Sequence, residues 1–314
     1  MDKSSVLVTG CDTGLGLALC ALLPHHGYFV IAICQSEAGQ RRTNRVINGE
    51  PSTSEGVPRV DSEGWLVGKK GVSYVLDITL INHVELFREQ LAKRIANKEI
   101  PPLYSVINNA GIWRFSMLTD AFESLESRQA EVNRWREVFE TNVIGSLQIT
   151  TAFAGHLTRS ADNLSPRIFF VSSVLDKHSL PGQSAYVASK YAINGLHETL
   201  CHELAATDIT PIIVKPGPLR NTNLFIRDLN LNEPGLLLNA AGDCRHVAQT
   251  ILYGLRQRYP KYEYSNFIGT IPFKIAEYVP RKIFVHFVRL VLRKLALLYF
   301  TVRRLVFRMN FWRR

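Results

Sequence analysis

The feature that most constrains the fold is a glycine-rich turn placed between an apolar strand and an apolar helix. The pattern predicts a short buried strand over residues 4–9 and a helix over residues 17–23, joined by Gly10-Cys-Asp-Thr-Gly14-Leu-Gly16. Glycines allow a tight turn and a close approach to a pyrophosphate, and a helix N-terminus favours negative charge. In this context of strand, turn and helix, the spacing predicts a dinucleotide site.

The rest of the body alternates between strands and helices. Alternation of this kind predicts an α/β fold, a Rossmann-type doubly wound parallel sheet in a single domain over residues 1–280. A single α/β domain of about 250 residues is common, so the length agrees. The predicted strands are 28–34, 72–76, 104–108, 167–172 and 210–215, and the predicted helical segments include 81–96, 133–154 and 184–206.

One segment departs from the alternation. Residues 39–71 are polar and Arg-rich and carry Gly, Pro and Ser throughout. We predict a partly helical start followed by a long polar insertion loop near the adenosine. Two interpretations stay open, a tolerated insertion and a dedicated partner site.

A tyrosine and a lysine predict the chemistry. Tyr186 and Lys190 are four residues apart in a helical stretch and so lie on one face. A lysine ammonium beside a phenol stabilises the phenolate and lowers its pKa, which makes a general acid/base for near-neutral pH. Ser173, thirteen positions before Tyr186, is placed to hold the oxygen of a substrate alcohol or ketone.

These motifs resemble those of the short-chain dehydrogenase/reductase family and occur in the family's order. The resemblance covers roughly residues 4–280, and the stretch from Thr9 to Gly16 is similar to the branch of retinol, 17β-hydroxysteroid and D-3-hydroxybutyrate dehydrogenases. It implies an NAD(P)-dependent enzyme that interconverts an alcohol and its carbonyl. The motifs are Val6–Gly16, Asn108-Asn-Ala-Gly111, Ser173, Tyr186-x-x-x-Lys190 and Pro216-Gly217.

The resemblance implies four catalytic residues. Tyr186 exchanges a proton with the reacting oxygen, and Lys190 lowers its pKa and binds the nicotinamide ribose. Ser173 positions the substrate oxygen and stabilises its charge. Asn142, in Thr141-Asn-Val-Ile-Gly145, links Lys190 to a proton-carrying water. The adjacent Ser172 is expected to point away and to matter little.

The resemblance also implies a cofactor-binding set at the strand ends. The glycine-turn members surround the pyrophosphate, and the later members line the adenosine side and the nicotinamide. Asp77 has an alternative role as a helix N-cap. The set is Gly10, Gly14, Leu15, Gly16, Asp77, Asn108, Ala110, Gly111, Pro216, Gly217 and Thr222, together with Tyr186 and Lys190.

The end of the second strand bears on the choice of cofactor. An acidic side chain there selects NAD, and a basic one selects NADP. No Asp stands in Cys34-Gln35-Ser36-Glu37, and Glu37 comes slightly late. Because Thr13 is not basic, we favour NAD(H), while Arg41 and Arg42 leave NADP(H) open.

Cysteine spacing predicts neither a disulfide framework nor a metal site. Cys11, Cys20 and Cys34 fall on the first βαβ unit, where we interpret them as small core residues or, for Cys11, as a turn residue. The first strand begins near residue 4, so we expect no signal peptide and a reducing compartment.

The net charge of +10 lies in the C-terminal segment, since residues 281–314 hold ten Lys and Arg and no acidic residue. We predict a basic amphipathic helical tail that associates with a membrane surface. Its longest charge-free run, residues 295–302, is too short to span a bilayer. A helix packed on the body is the alternative, and the apolar stripe argues against nucleic-acid binding.

The segment Leu219–Leu238 is predicted to be a substrate lid rich in Leu and Phe. Together with the tail it favours a lipophilic retinoid or hydroxysteroid substrate, and an enzyme on the cytosolic face of the endoplasmic reticulum. Alternatives are a D-3-hydroxybutyrate-type acid paired with Arg220 or Arg227, a mitochondrial membrane, and a non-catalytic nucleotide- or lipid-binding protein. A homo-oligomer is left open.

Overall fold

An eight-stranded sheet organises the protein in the computed structural model, which describes residues 4–49, 60–220, 222 and 242–265. The strand order is β3-β4-β2-β1-β5-β6-β7-β8, and neighbours are parallel except for the antiparallel pair β3 and β4. The strands are β1 (Ser5–Thr9), β2 (Phe29–Cys34), β3 (Trp65–Val67), β4 (Gly71–Val75), β5 (Leu103–Asn108), β6 (Arg167–Val171), β7 (Thr210–Val214) and β8 (Glu263–Tyr264).

Helices cover both faces of the sheet, and the predicted doubly wound α/β fold is confirmed. Strand order reverses between β1 and β5, and in such sheets ligands bind beyond the carboxyl ends of the strands at that point. The helices are α1 (Gly14–Leu22), α2 (Glu37–Asn48), α3 (Ile81–Ala96), α4 (Leu125–Phe139), α5 (Gly145–Ala154), α6 (Ser184–Glu203) and α7 (Cys244–Arg256), with a π-helix over Glu140–Ile144.

Successive residues of β1 show how the core is divided between the two faces. Val6 and Val8 pack in a buried cluster with residues of α1 and α7, whereas Leu7 lies in the opposite cluster with Phe87 and Phe153. Alternate side chains of a strand point to opposite faces. Because both faces are covered, the strand consists of consecutive apolar residues, as is typical of parallel sheets.

The predicted insertion loop is partly wrong. Its start is helical, as expected, but residues 65–67 form β3, which extends the sheet at its edge. Trp65 is fully buried and stacks on Phe87 at 5.1 Å between ring centroids. Arg94 on α3 binds Asp61 and Glu63, each at 2.6 Å. This tertiary packing orders a strand too short to show a period, and residues 50–59 lie outside the described residues.

Several boundaries also differ from the predictions. Helix α4 begins at Leu125, eight residues before the predicted start, and neither α7 nor β8 was predicted. Cys11, Cys20 and Cys34 are buried in the core, as predicted. In the described ranges, no helix is long and apolar enough to cross a membrane. The tail over 281–314, Arg227 and most of the lid lie outside the described residues.

Candidate active site

The glycine-rich turn forms a cradle at the carboxyl end of β1. Gly10 has a φ of +71°, and a Cβ on Gly16 would lie 2.1 Å from the carbonyl oxygen of Gly10. Gly10 must be glycine because other residues are strained at that φ, and Gly16 must be glycine because a side chain would collide with the backbone of Gly10. Helix α1 follows Thr13, whose side chain makes no capping hydrogen bond within the described part of the chain. Its first N–H groups are therefore suited to bind an anion.

Asn109 joins the end of β5 to this cradle. Its Nδ2 donates to the carbonyl oxygens of Thr9 at 2.9 Å and Gly10 at 3.1 Å. The hydroxyl of Thr9 accepts from the backbone N–H groups of Asn109 and Ala110, each at 3.0 Å. Our sequence-based site set omitted Asn109, although its place inside the Asn-Asn-Ala-Gly motif was the available signal.

Asn108 is the last residue of β5, and its place along the adenosine stays a prediction. Its side chain is buried, and its Nδ2 donates to Thr150 of α5 at 3.0 Å. A buried amide needs a hydrogen-bonding partner, and α5 supplies one here. The side chain of Asn108 therefore ties β5 to α5.

Three of the predicted catalytic residues meet at the ends of β6 and α6. Tyr186 and Lys190 are both buried on α6, with the Lys190 ammonium 5.5 Å from the centroid of the Tyr186 ring. Tyr186 shares a side-chain hydrogen bond with Ser173, which follows β6. The Ser173 hydroxyl also accepts from the N–H of Leu175 at 3.2 Å.

Asn142, the fourth predicted residue, lies in the π-helix between α4 and α5. Its amide pairs with the backbone of Ile112 in both directions, at 2.8 and 3.0 Å, and donates to Ser189 on α6 at 3.0 Å. A Cβ on Gly111 would lie 3.3 Å from Asn142 Oδ1 and 3.7 Å from Lys190 Nζ. Asn142 and Lys190 therefore border the same glycine. A π-helical turn inside a helix is frequent at functional sites.

Burial dominates the electrostatics of the catalytic pair. It raises the pKa of Tyr186 to about 12, although the hydrogen bond from Ser173 opposes the rise. It lowers the pKa of Lys190 to about 8. The Lys190 ammonium donates to the carbonyl oxygen of Val171 at 2.9 Å. Loss of hydration is the largest cause of the raised Tyr186 pKa, because it disfavours the phenolate. The expected lowering of that pKa by Lys190 stays a prediction.

A buried ion-pair network adjoins Ser173, and our reading of the sequence missed it. The Lys215 ammonium lies 3.1 Å from Asp176 and 3.0 Å from Glu263, and it donates to Asn194 on α6 at 2.6 Å. Ser172 points into this network, since its hydroxyl donates to Asp176 at 3.0 Å. Burial raises the pKa of Asp176 although Lys215 opposes the rise. The available signal was an Asp three residues after Ser173.

The acid at the end of β2 is supplied by the glycine turn. The carboxylate of Asp12 accepts from the N–H of Gln35 at 2.8 Å and from the N–H and hydroxyl of Ser36 at 3.2 and 2.8 Å. Glu37, the acid considered in the sequence, begins α2 with its side chain 80% exposed and lies 3.7 Å from Arg41. Our prediction considered only acids that follow β2 in the chain and so missed Asp12.

The remaining predicted positions follow the carboxyl ends of β1, β4 and β7. Asp77 is exposed after β4 and accepts from the N–H and hydroxyl of Thr79, so it forms a turn before α3. A Cβ on Gly14 would lie 3.1 Å from the methyl of Thr222, which places the loop after β7 beside the cradle. In that loop Pro216 accepts from the N–H of Val174, and Gly217 follows it. Leu15 is buried in α1.

The cradle, the uncapped helix start and the acid at β2 fit a nicotinamide dinucleotide.

Comparison with known proteins identifies the family. A family model described as short chain dehydrogenase matches residues 62–230. The uncharacterized oxidoreductase YbbO of Escherichia coli K12 is 25% identical over 267 residues, which cover 83% of this chain and 85% of YbbO.

Two further relatives belong to the predicted branches. The mitochondrial D-beta-hydroxybutyrate dehydrogenase of Bos taurus is 25% identical over 217 residues, which are 69% of this chain and 54% of that protein. Retinol dehydrogenase 7 of Mus musculus is 24% identical over 226 residues, with 70% and 58% of the two chains covered.

Solved structures share the fold. An alcohol dehydrogenase from Thermococcus sibiricus, complexed with 5-hydroxy-NADP, aligns with a TM-score of 0.63 at 19% identity. The alignment covers 84% of this chain and 96% of the archaeal one.

Proposed function

The chain belongs to the short-chain dehydrogenase family, and on that premise we propose that it interconverts an alcohol and its carbonyl with NAD(H) as the favoured cofactor. The observation that carries this proposal is the buried cluster of Ser173, Tyr186, Lys190 and Asn142. The four side chains come from the turn after β6, from α6 and from the π-helix, at the carboxyl ends of the strands, where the glycine cradle also lies. A dinucleotide bound in the cradle would supply or accept the hydride.

The chain's own residues account for the proton. In the reductive direction the Tyr186 hydroxyl gives its proton to the carbonyl oxygen, and in the oxidative direction the phenolate takes the alcohol proton. The Ser173 hydroxyl hydrogen-bonds Tyr186. It stabilises the negative oxygen by turning its one proton from Tyr186 to that oxygen. The Lys190 ammonium offsets the cost of the phenolate, because the two groups are close and buried.

We propose a lipophilic substrate. An aromatic segment follows β5 and packs along the loop that leads into α6: Trp113 Nε1 donates to Gln183 at 3.1 Å, and the N–H of Ser116 donates to Gly182 at 2.9 Å. A Cβ on Gly182 would lie 2.2 Å from the ring of Phe115. Tyr186 follows Gly182 by four residues. We therefore propose that the aromatic segment forms an apolar wall beside the proton donor. This wall favours a retinoid- or steroid-like alcohol or ketone.

The alternative substrate is a short hydroxy acid. A relative named D-beta-hydroxybutyrate dehydrogenase motivates it. A carboxylate substrate requires a cationic partner, and Arg220, exposed in the loop after β7, is the described candidate. A panel of retinoids, hydroxysteroids and 3-hydroxy acids, each assayed with NAD and NADP, separates the two proposals.

Substitution of Tyr186 tests the reaction itself. We expect Tyr186→Phe to lower kcat by about 10²–10⁴-fold, because the proton donor is lost while the cradle is untouched. Dinucleotide affinity, measured by titration calorimetry, is expected to persist. Tyr191→Phe is the matched control, since Tyr191 lies on the same helix and is exposed, at 44%. Turnover of Tyr186→Phe at the level of Tyr191→Phe would overturn the assignment.

A further inference from the structure

We propose that Asp12 selects NAD over NADP by placing its carboxylate where the adenosine ribose binds. The inference deepens the proposed function and rests on it. In doubly wound folds the ribose 2′-hydroxyl is bound by an acid at the end of the second strand. Here that strand ends at Cys34 and is followed by Gln35 and Ser36, neither of which is acidic.

The geometry shows that Asp12 supplies the acid from a different strand. Asp12 lies in the glycine turn that follows β1. Three hydrogen bonds hold its carboxylate to Gln35 and Ser36, the two residues after β2. The carboxylate also lies against the first turn of α2. A Cβ on Gly39 would lie 1.8 Å from Asp12 Oδ1, so the absence of a side chain at Gly39 makes room for it.

The chemistry favours a hydroxyl over a phosphate at this position. A carboxylate offers about four acceptor sites, of which three are used by Gln35 and Ser36, so it retains capacity for a ribose hydroxyl. A 2′-phosphate would bring a second anion to the same point. It would also find the N–H groups after β2 already bound to the carboxylate. Like charges placed together at a binding surface suppress the wrong partner.

A basic side chain next to Asp12 makes the selection testable. Arg42 donates to the backbone carbonyl of Asp12 at 3.4 Å, so its guanidinium lies close to the proposed ribose site. An arginine at this point of the fold accommodates a 2′-phosphate. The preference for NAD therefore depends on the carboxylate of Asp12 being present beside Arg42.

The experiment measures equilibrium binding of NAD⁺ and NADP⁺ to the full chain by titration calorimetry, without substrate. We expect the wild type to prefer NAD⁺, and Asp12→Asn to lower the ratio of the NADP⁺ to the NAD⁺ dissociation constant by about tenfold or more. Adding Arg42→Ala to Asp12→Asn is expected to cancel most of that gain. Glu37→Gln is the matched control, which removes the neighbouring exposed acid and is expected to leave the ratio unchanged.

A second variant separates selectivity from damage to α2. Ser36→Ala removes the N-cap of α2 and one hydrogen bond to Asp12 but keeps the carboxylate, so it is expected to lower Tm and preserve the ratio. An unchanged ratio in Asp12→Asn or an equal change in Ser36→Ala would overturn the inference alone. A wild-type preference for NADP⁺ would overturn the inference and the proposed choice of NAD(H), but not the proposed alcohol–carbonyl reaction. A wild type that binds neither dinucleotide would overturn the proposed function with it.

Discussion

The site has two ends, the catalytic end around Tyr186 and the nucleotide end around the glycine turn, and they are built from different kinds of chemical groups. At the catalytic end, Tyr186, Lys190 and Asp176 are ionisable side chains removed from water, and burial raises or lowers the pKa of each. At the nucleotide end, the surface consists of backbone groups and glycines, and the carboxylate of Asp12 is only half-buried. Function at the catalytic end depends on how burial changes the pKa values of its side chains. Function at the nucleotide end depends on the space that the glycines leave for a ligand.

The difference explains why the catalytic end needs internal counter-charges. A buried charge is costly unless it is paired and hydrogen-bonded. Lys215, itself buried, is bound by Asp176, Glu263 and Asn194, which join the end of β6 to β8 and α6. The nucleotide end can use water and a bound ligand instead. We therefore expect substitutions at the catalytic end to lower folding stability through unpaired buried charge, and substitutions at the nucleotide end to weaken dinucleotide binding.

The largest expected effect tests the buried end through Lys215→Met. This change leaves Asp176 without its cationic partner, and breaking a buried pair in this way costs about 3–5 kcal/mol of folding free energy. Urea denaturation measures the loss. The matched control is Lys177→Met, since Lys177 is exposed in the same region and surface changes stay within about 0.5 kcal/mol.

A double substitution sharpens the result. Adding Asp176→Asn to Lys215→Met removes the uncompensated charge and should recover part of the lost stability. If Lys215→Met destabilised the protein no more than Lys177→Met, the buried end would not depend on paired charge.

The next effect in size tests the nucleotide end through Gly16→Ala. The new Cβ would lie 2.1 Å from the carbonyl oxygen of Gly10, a backbone atom, and overpacking of this kind costs about 1–3 kcal/mol. We expect weaker dinucleotide binding together with a lower Tm. Gly195→Ala is a control of opposite sign, because a Cβ there meets no described atom within 4 Å and Ala favours a helix interior by about 0.5–1 kcal/mol. Equal behaviour of the two variants would contradict the account of the cradle.

The two ends also differ in how far the sequence predicts them. The glycine turn, the strand alternation and the Tyr186–Lys190 face follow from local spacing, and the structure has each of them. Asp12 reaches the end of β2 across 23 residues of chain, and Lys215 reaches Asp176 across 39. Contacts of this kind depend on tertiary packing, as does the burial of Trp65 that orders β3. Spacing places the Tyr186–Lys190 pair correctly, but the pKa of Tyr186 depends on burial, which spacing does not report.

The smallest expected effect concerns the pH dependence of carbonyl reduction. Burial lowers the pKa of Lys190 to about 8, so its charge is present below that pH and is lost as the pH rises through it. Tyr186, with a pKa of about 12, keeps its proton over the same range. We therefore expect kcat for reduction to be level up to about pH 7 and to fall above pH 8, because the phenolate that forms loses its neighbouring cation.

Lys190→Arg separates this interpretation from an unrelated ionisation. Arginine keeps its charge throughout the range, since its pKa exceeds about 12. The variant should be slower, because the guanidinium fits the Lys190 space poorly, but its rate should no longer fall above pH 8. Profiles of kcat from pH 6 to 10 for both proteins provide the measurement. If the fall persisted unchanged in Lys190→Arg, a group other than Lys190 would control it, and burial of the ammonium would have no bearing on the rate.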